Sequence, residues 1–109
     1  MAMPHAFRED DAIITPTELH ERLAAHQAPL LVDVREPGEF AEAHIPGAVN
    51  YPLSRFTAIF RNLDRHKEIV LICRSGNRSG IAQQFLVAQG YTRTRNLISG
   101  MMGWPGPTG

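Results

Sequence analysis

Two stretches of this chain are apolar without alternation: Leu30-Leu31-Val32-Asp33-Val34, broken only by Asp33, and Ile69-Val70-Leu71-Ile72. A strand with one face in water alternates apolar and polar side chains. A continuous, β-branched run belongs to a strand covered on both faces, as in a parallel sheet packed between helices. The surrounding sequence supplies those helices. Thr15-Pro16-Thr17-Glu18 reads as a helix start, with Thr15 as N-cap, Pro16 at the first helical position and Glu18 reaching back as a capping box. That helix should run to about Ala25 with Leu19 and Leu23 buried. A turn at Glu36-Pro37-Gly38 precedes a short helix over Glu39 to Ala43. Ser54 to Leu63 has helical spacing at Phe56, Ile59, Phe60 and Leu63. Ser79 to Gln89 forms another helix, with Ile81, Ala82, Phe85, Leu86 and Ala88 available for burial and Gly90 just past its end. Ala12-Ile13-Ile14, a short strand into which the turn Ile45-Pro46-Gly47-Ala48-Val49-Asn50 leads, and Thr94 to Ile98 complete the strands, and Ser99 to Gly109 should be irregular. Strands that alternate with helices give an α/β fold with a mostly parallel central sheet and helices on both faces.

At 109 residues the chain makes one compact domain. Residues 1–11 read as a flexible arm and 12–109 as the domain. Eleven basic residues balance eleven acidic ones. That balance argues against nucleic-acid or membrane-surface binding driven by bulk charge. The start carries Glu9, Asp10 and Asp11 where a secretory signal would be apolar, and no apolar run is long enough to span a membrane. A cytoplasmic protein is expected. The histidines at 5, 20, 26 and 66 show no metal-ligand spacing with the single cysteine, and neither metal nor cofactor is expected.

That cysteine, Cys73, follows the strand Ile69–Ile72 directly. Ligands of open α/β sheets bind beyond the carboxyl ends of strands, so Cys73 should lie at the mouth of such a site. Between it and the next helix lies Arg74-Ser75-Gly76-Asn77-Arg78-Ser79. Gly76 and Asn77 tolerate positive φ, so this loop is able to curl with its N–H groups inward and form an anion nest around the sulfur. A free thiol titrates near 8.5 and is mostly protonated at neutral pH. A helix N-terminus with Arg74 and Arg78 is expected to lower that by about one to two units, or roughly 1.4–2.8 kcal/mol in favour of the thiolate. The arrangement suits nucleophilic chemistry by the sulfur. The alternative, an inert core thiol, sits badly beside two arginines without counter-charges.

Three stretches taken together resemble the rhodanese family. Leu31-Val32-Asp33-Val34-Arg35-Glu36, extending to Glu39-Phe40, resembles its first strand motif. Phe40-Ala41-Glu42-Ala43-His44-Ile45-Pro46-Gly47-Ala48 resembles its aromatic-x3-His-Ile-Pro-Gly-Ala signature. Cys73 to Ser79 resembles its active-site loop. The resemblance implies a three-layer fold around a five-stranded sheet. It implies a thiosulfate sulfurtransferase, with Cys73 as catalytic nucleophile taking sulfane sulfur from thiosulfate or a persulfide donor and passing it to cyanide or a thiol, including a protein thiol. By the same resemblance Arg74, Ser75, Gly76, Asn77, Arg78 and Ser79 bind substrate. Arg74 holds an anionic donor, while Arg78 orients the loop and adds positive potential. Asp33 and Arg35 brace the sheet, and Arg35 is expected to pair with Glu39. His44 is expected to fix the turn before Ile45-Pro46 by hydrogen bonding, since an ionised thiol needs no base. Gly100, Gly103 and Trp104 resemble the closing turn, with Ser99-Gly100 where many members have two glycines and without the usual terminal helical turn.

Two other function classes compete. A sulfur carrier or regulatory module would use the same loop toward a partner protein. A cysteine-dependent phosphatase or arsenate reductase needs Cys, five residues, then Arg. Here that position is Ser79, and the arginine comes one residue early at Arg78.

Overall fold

The computed structural model describes residues 9–109. The arm expected at 1–11 falls mostly outside them, and Glu9–Ala12 form a 3₁₀ turn leading into the first strand. Five strands, β1 (Ile13–Ile14), β2 (Leu30–Asp33), β3 (Val49–Asn50), β4 (Ile69–Ile72) and β5 (Thr94–Leu97), form one sheet in the order β1-β5-β4-β2-β3. Every neighbouring pair is parallel. Four helices, α1 (Pro16–Ala24), α2 (Pro37–Glu42), α3 (Phe56–Ile59) and α4 (Asn77–Ala88), connect them.

The twofold period of a strand explains the two core layers. Along β4, Val70 and Ile72 join Leu31, Ile14 and Leu97 beneath Leu19 of α1. Ile69 and Leu71 point the other way, with Val32, to meet Phe56 of α3 and Ala82 and Leu86 of α4. All four β4 side chains are fully buried, as their unbroken apolar run predicts. Cys73 continues the odd-numbered series past the end of the strand, so its side chain falls on the α4 side.

Local chemistry fixes the helix starts. Thr15 Oγ1 accepts from the Glu18 amide at 3.1 Å, and Glu18 accepts from the Thr15 amide at 3.1 Å. Asp33, fully buried, takes the Arg35 amide at 3.0 Å and its guanidinium Nη2 at 2.8 Å, and Nη2 also donates to the Ala43 carbonyl at 2.7 Å. The partner of Arg35 is therefore Asp33 and not Glu39. A guanidinium drawn under the sheet edge meets the buried carboxylate two residues back, and both charges are bonded where water is excluded.

The helix expected over 54–63 is broken. A 3₁₀ turn (Leu53–Arg55), the single turn of α3 and a second 3₁₀ turn (Phe60–Asn62) replace it. Phe56, Phe60 and Leu63 still reach the core. The Tyr91 hydroxyl lies 3.1 Å from the Phe60 carbonyl and 2.8 Å from that of Leu63, at the end of this segment. Helix α4 begins at Asn77, two residues before the expected Ser79, and its Ile81 is 58% exposed while Ala82 and Leu86 are buried. Among the described residues no helix is long and apolar enough to cross a membrane.

Candidate active site

The residues after β4 close over the sulfur of Cys73. Gly76, with φ +106, takes the left-handed turn that glycine adopts freely and so reverses the chain into α4. The reversal points the Gly76 amide at Sγ, 3.0 Å away. One turn into α4 the buried Ser79 hydroxyl lies 3.2 Å from the same atom. Burial pushes the thiol up. Hydrogen bonds from the Ser79 hydroxyl and from the amides of Ser79, Gly76 and Ser75 outweigh it and hold Cys73 below the ordinary thiol range. Donors aimed at a partly desolvated anion are the arrangement that stabilises a thiolate.

Two expectations about this loop are corrected. The end of a parallel strand predicts Cys73 at the mouth of the site, but it is only 1% exposed: the loop curls back on its sulfur through Gly76 and Ser79, and the closing turn takes its carbonyl. Nor does Arg78 stand as a bare cation beside the sulfur. Its Nη1 and Nη2 donate to the Glu39 carboxylate at 2.7 and 2.9 Å. That bidentate bond holds Glu39 down to about 2. Arg78 thus anchors the start of α4 to α2 while still interacting electrostatically with Cys73, and hydrogen bonds make the largest contributions that lower the thiol.

Arg74, Ser75 and Asn77 are exposed, and among the described residues Arg74 has no ion-pair partner. Arg74 opens onto a cavity of about 430 Å³ lined also by Arg35, Glu39, Glu42, Met101 and Met102. Arg35 and Glu39 are engaged in ion pairs, so among the described residues Arg74 and Glu42 are the lining charges without an ion-pair partner. Asp33 and Arg35 support the floor through their buried pair. His44 lies apart: its Nδ1–H donates to the Phe40 carbonyl at 2.9 Å and its ring stacks on Phe40 at 3.9 Å.

The closing turn is part of the site. The Met101 amide donates to the Cys73 carbonyl at 2.9 Å and the Met102 amide to the Arg74 carbonyl at 3.0 Å. Sequence reasoning missed two contributors, Glu39 as the partner of Arg78 and Asn96 of β5. Asn96 Nδ2 donates to the Gly76 carbonyl at 3.0 Å, and its Oδ1 lies 2.5 Å from the Ser79 hydroxyl. A polar carboxamide in the strand beside Cys73 was the available signal.

Comparison with known proteins identifies the family and the fold. The family model of the rhodanese-like domain matches residues 15–106. The chain belongs to that family. A sulfurtransferase from Allochromatium vinosum is 37% identical over 84% of this chain and 85% of its own length. A Bacillus subtilis protein whose name proposes sulfur carriage is 40% identical over 72% of this chain, which spans only 42% of that protein. Among solved structures, a human single-domain sulfurtransferase superposes with a TM-score of 0.73 at 30% identity, over 85% of this chain and 94% of that one. The rhodanese-like fold, a parallel five-stranded sheet between helices, is thus shared along most of the chain.

Proposed function

We propose that this rhodanese-like domain is a thiosulfate sulfurtransferase that carries sulfur as a persulfide on Cys73, and that it works in the cytoplasm, where a lone thiol stays reduced. The supporting observation is the sulfur itself, held at the carboxyl end of β4 by the Gly76 amide and the Ser79 hydroxyl, with its thiol lowered. The named relatives are consistent with sulfur transfer. In the first step the thiolate attacks the outer sulfur of thiosulfate. A bond forms between Sγ and that sulfur, and the bond to the sulfonate sulfur breaks, so sulfite leaves with the electron pair. In the second step cyanide or a thiolate attacks the terminal sulfur and Cys73 departs as thiolate. Substrate-binding roles fall to Arg74, Ser75, Gly76, Asn77, Arg78 and Ser79. The amides hold the anionic persulfide, Arg74 attracts the donor and Arg78 holds the loop through Glu39. Asp33, Arg35 and His44 support the structure. The test is intact mass after thiosulfate is added and removed. A gain of about one sulfur atom, reversed by cyanide with release of thiocyanate, is expected for covalent transfer, and no gain would refute it.

Two further outcomes are expected. The rate of Cys73 alkylation by iodoacetamide should reach half its plateau below the ordinary thiol midpoint of about 8.5, because the reactive thiolate forms at lower pH when its pKa is lowered. Arg74→Ala should raise KM for thiosulfate about five- to tenfold, the loss of one exposed guanidinium–anion contact, while thermal stability stays within ~0.5 kcal/mol. An unchanged KM would remove Arg74 from the donor site.

A carrier role toward a protein thiol is a second reading, favoured by Met102, 71% exposed on the turn that covers Cys73 and Arg74. Rapid transfer to a protein thiol with poor thiocyanate formation would identify the carrier. Phosphatase chemistry is disfavoured because Arg78 is engaged with Glu39, and Ser79, six residues after Cys73, puts its own hydroxyl on the sulfur.

A further inference from the structure

The Ser79 hydroxyl has one hydrogen and two acceptors in reach. Sγ of Cys73 is 3.2 Å away and Oδ1 of Asn96 is 2.5 Å away. The Asn96 carboxamide has only one consistent orientation. The Gly76 carbonyl can only accept, so the group 3.0 Å from it is Nδ2, and Oδ1 is left facing Ser79. Oδ1 in turn can only accept. While Cys73 is a neutral thiol, all groups are satisfied if S–H donates to Ser79 Oγ and the hydroxyl donates to Asn96. Once the sulfur is ionised it has no hydrogen to give, and the same hydroxyl is the side-chain donor in reach of it, at the cost of its short bond to Asn96.

We propose that Asn96 is a positioning residue for Cys73: its carboxamide holds the Ser79 hydroxyl and gives its hydrogen a resting acceptor, from which it swings to the sulfur when the sulfur becomes an anion. The role in turnover rests on the persulfide reading above; the hydroxyl switch itself is a property of the reduced protein. In a persulfide the negative charge moves to the outer sulfur, and the hydroxyl returns to Asn96. Asn96 therefore favours the states in which Sγ is uncharged, the thiol and the persulfide, over the bare thiolate. Of the charged groups near the sulfur, Arg78 interacts with Cys73 electrostatically, and this contribution is common to every variant that keeps Arg78. Arg78 of α4 is bonded to Glu39 of α2, Asp33 at the end of β2 and Arg35 just beyond it are bonded to each other, and Arg95 of β5 contacts Glu68 and Asp11. Arg74, in the loop, is exposed.

The experiment is the pH profile of Cys73 alkylation in the reduced protein, which needs no sulfur donor. Asn96→Leu, close in size and without an acceptor, frees the Ser79 hydrogen for the sulfur. Its midpoint should fall, giving about threefold more thiolate at a pH below the wild-type midpoint. Ser79→Ala should raise the midpoint, and the double variant should match Ser79→Ala alone. A midpoint for Asn96→Leu that is unchanged or raised, or a fall that persists without Ser79, overturns the proposal. Should Asn96→Leu not fold, Asn96→Asp serves. Its carboxylate grips the Ser79 hydrogen harder, so it should raise the midpoint more with Ser79 present than in the Ser79→Ala background, and equal shifts in the two backgrounds overturn the proposal. Failure to form a persulfide would refute the proposed function and leave this profile intact.

Discussion

A Cys73→Ala chain is expected to take up no sulfur mass from thiosulfate and to form thiocyanate no faster than the uncatalysed reaction. The sequence has a single cysteine, so no second thiol is present to take over as nucleophile or to resolve a persulfide. Loss of the nucleophile in covalent catalysis removes the pathway, and a fall of at least roughly three orders of magnitude in kcat/KM is expected. Stability should change much less. Cys73 is buried in the layer under α4, and trimming its sulfur leaves a small void worth about 1 kcal/mol. Cys73→Ser adds a sharper control. Its hydroxyl keeps a polar atom near the Gly76 amide but does not ionise at neutral pH, so folding should hold while transfer is lost. Activity retained by either variant, measured as thiocyanate formed under matched thiosulfate and cyanide, would sink the covalent mechanism.

Much of this fold was legible because burial in a parallel sheet writes itself into consecutive residues. The runs 30–34 and 69–72 announce strands covered on both sides, and Thr15, Pro16 and Glu18 carry a helix start in their own side chains. What was not legible depends on partners distant in sequence. Nothing in residues 54–63 reveals that 3₁₀ turns will replace both ends of the helix, or that the Tyr91 hydroxyl will lie against the last carbonyls of the segment. Arg35 and Glu39 are spaced for a pair across a turn, yet each finds a better-shaped partner, Asp33 and Arg78. The loop sequence points to an anion-stabilising ring around residue 73 but credits part of its effect to two arginines. The structure gives the largest part of the effect to a hydroxyl and amides, with Arg78 adding its charge, and puts the sulfur beneath the surface. Charge is easy to read in a sequence. Hydrogen-bond direction is not, which is why Asn96 escaped notice.

The turn that covers the site supplies the second large effect. Gly100 has φ +50, and a Cβ built there would collide with the Cys73 carbonyl oxygen and stand 2.7 Å from both carbonyl atoms of Arg74. These are backbone atoms that no rotamer change moves aside. They also belong to the carbonyls that receive the Met101 and Met102 amides. Gly100→Ala therefore combines left-handed backbone strain of about 1 kcal/mol with overpacking of about 1–3 kcal/mol, and a loss of roughly 2–4 kcal/mol is expected in urea or thermal unfolding. Gly90→Ala separates the two terms. Its φ of +92 imposes the conformational strain, but nothing lies within 4 Å of the added carbon, so the loss should stay near ~1–2 kcal/mol. The site should respond as well as the fold. The strain at Gly100 relaxes by moving residues 73 and 74, or by withdrawing the turn whose Met101 and Met102 amides hold their carbonyls, and either change loosens the support of the loop around the sulfur. The alkylation midpoint of Cys73 in Gly100→Ala should therefore rise toward that of an ordinary thiol, whereas Gly90→Ala, at the far end of α4, should leave it in place. Equal stability losses in the two variants, or an unmoved midpoint in Gly100→Ala, would show that the closing turn does not hold the sulfur loop in shape.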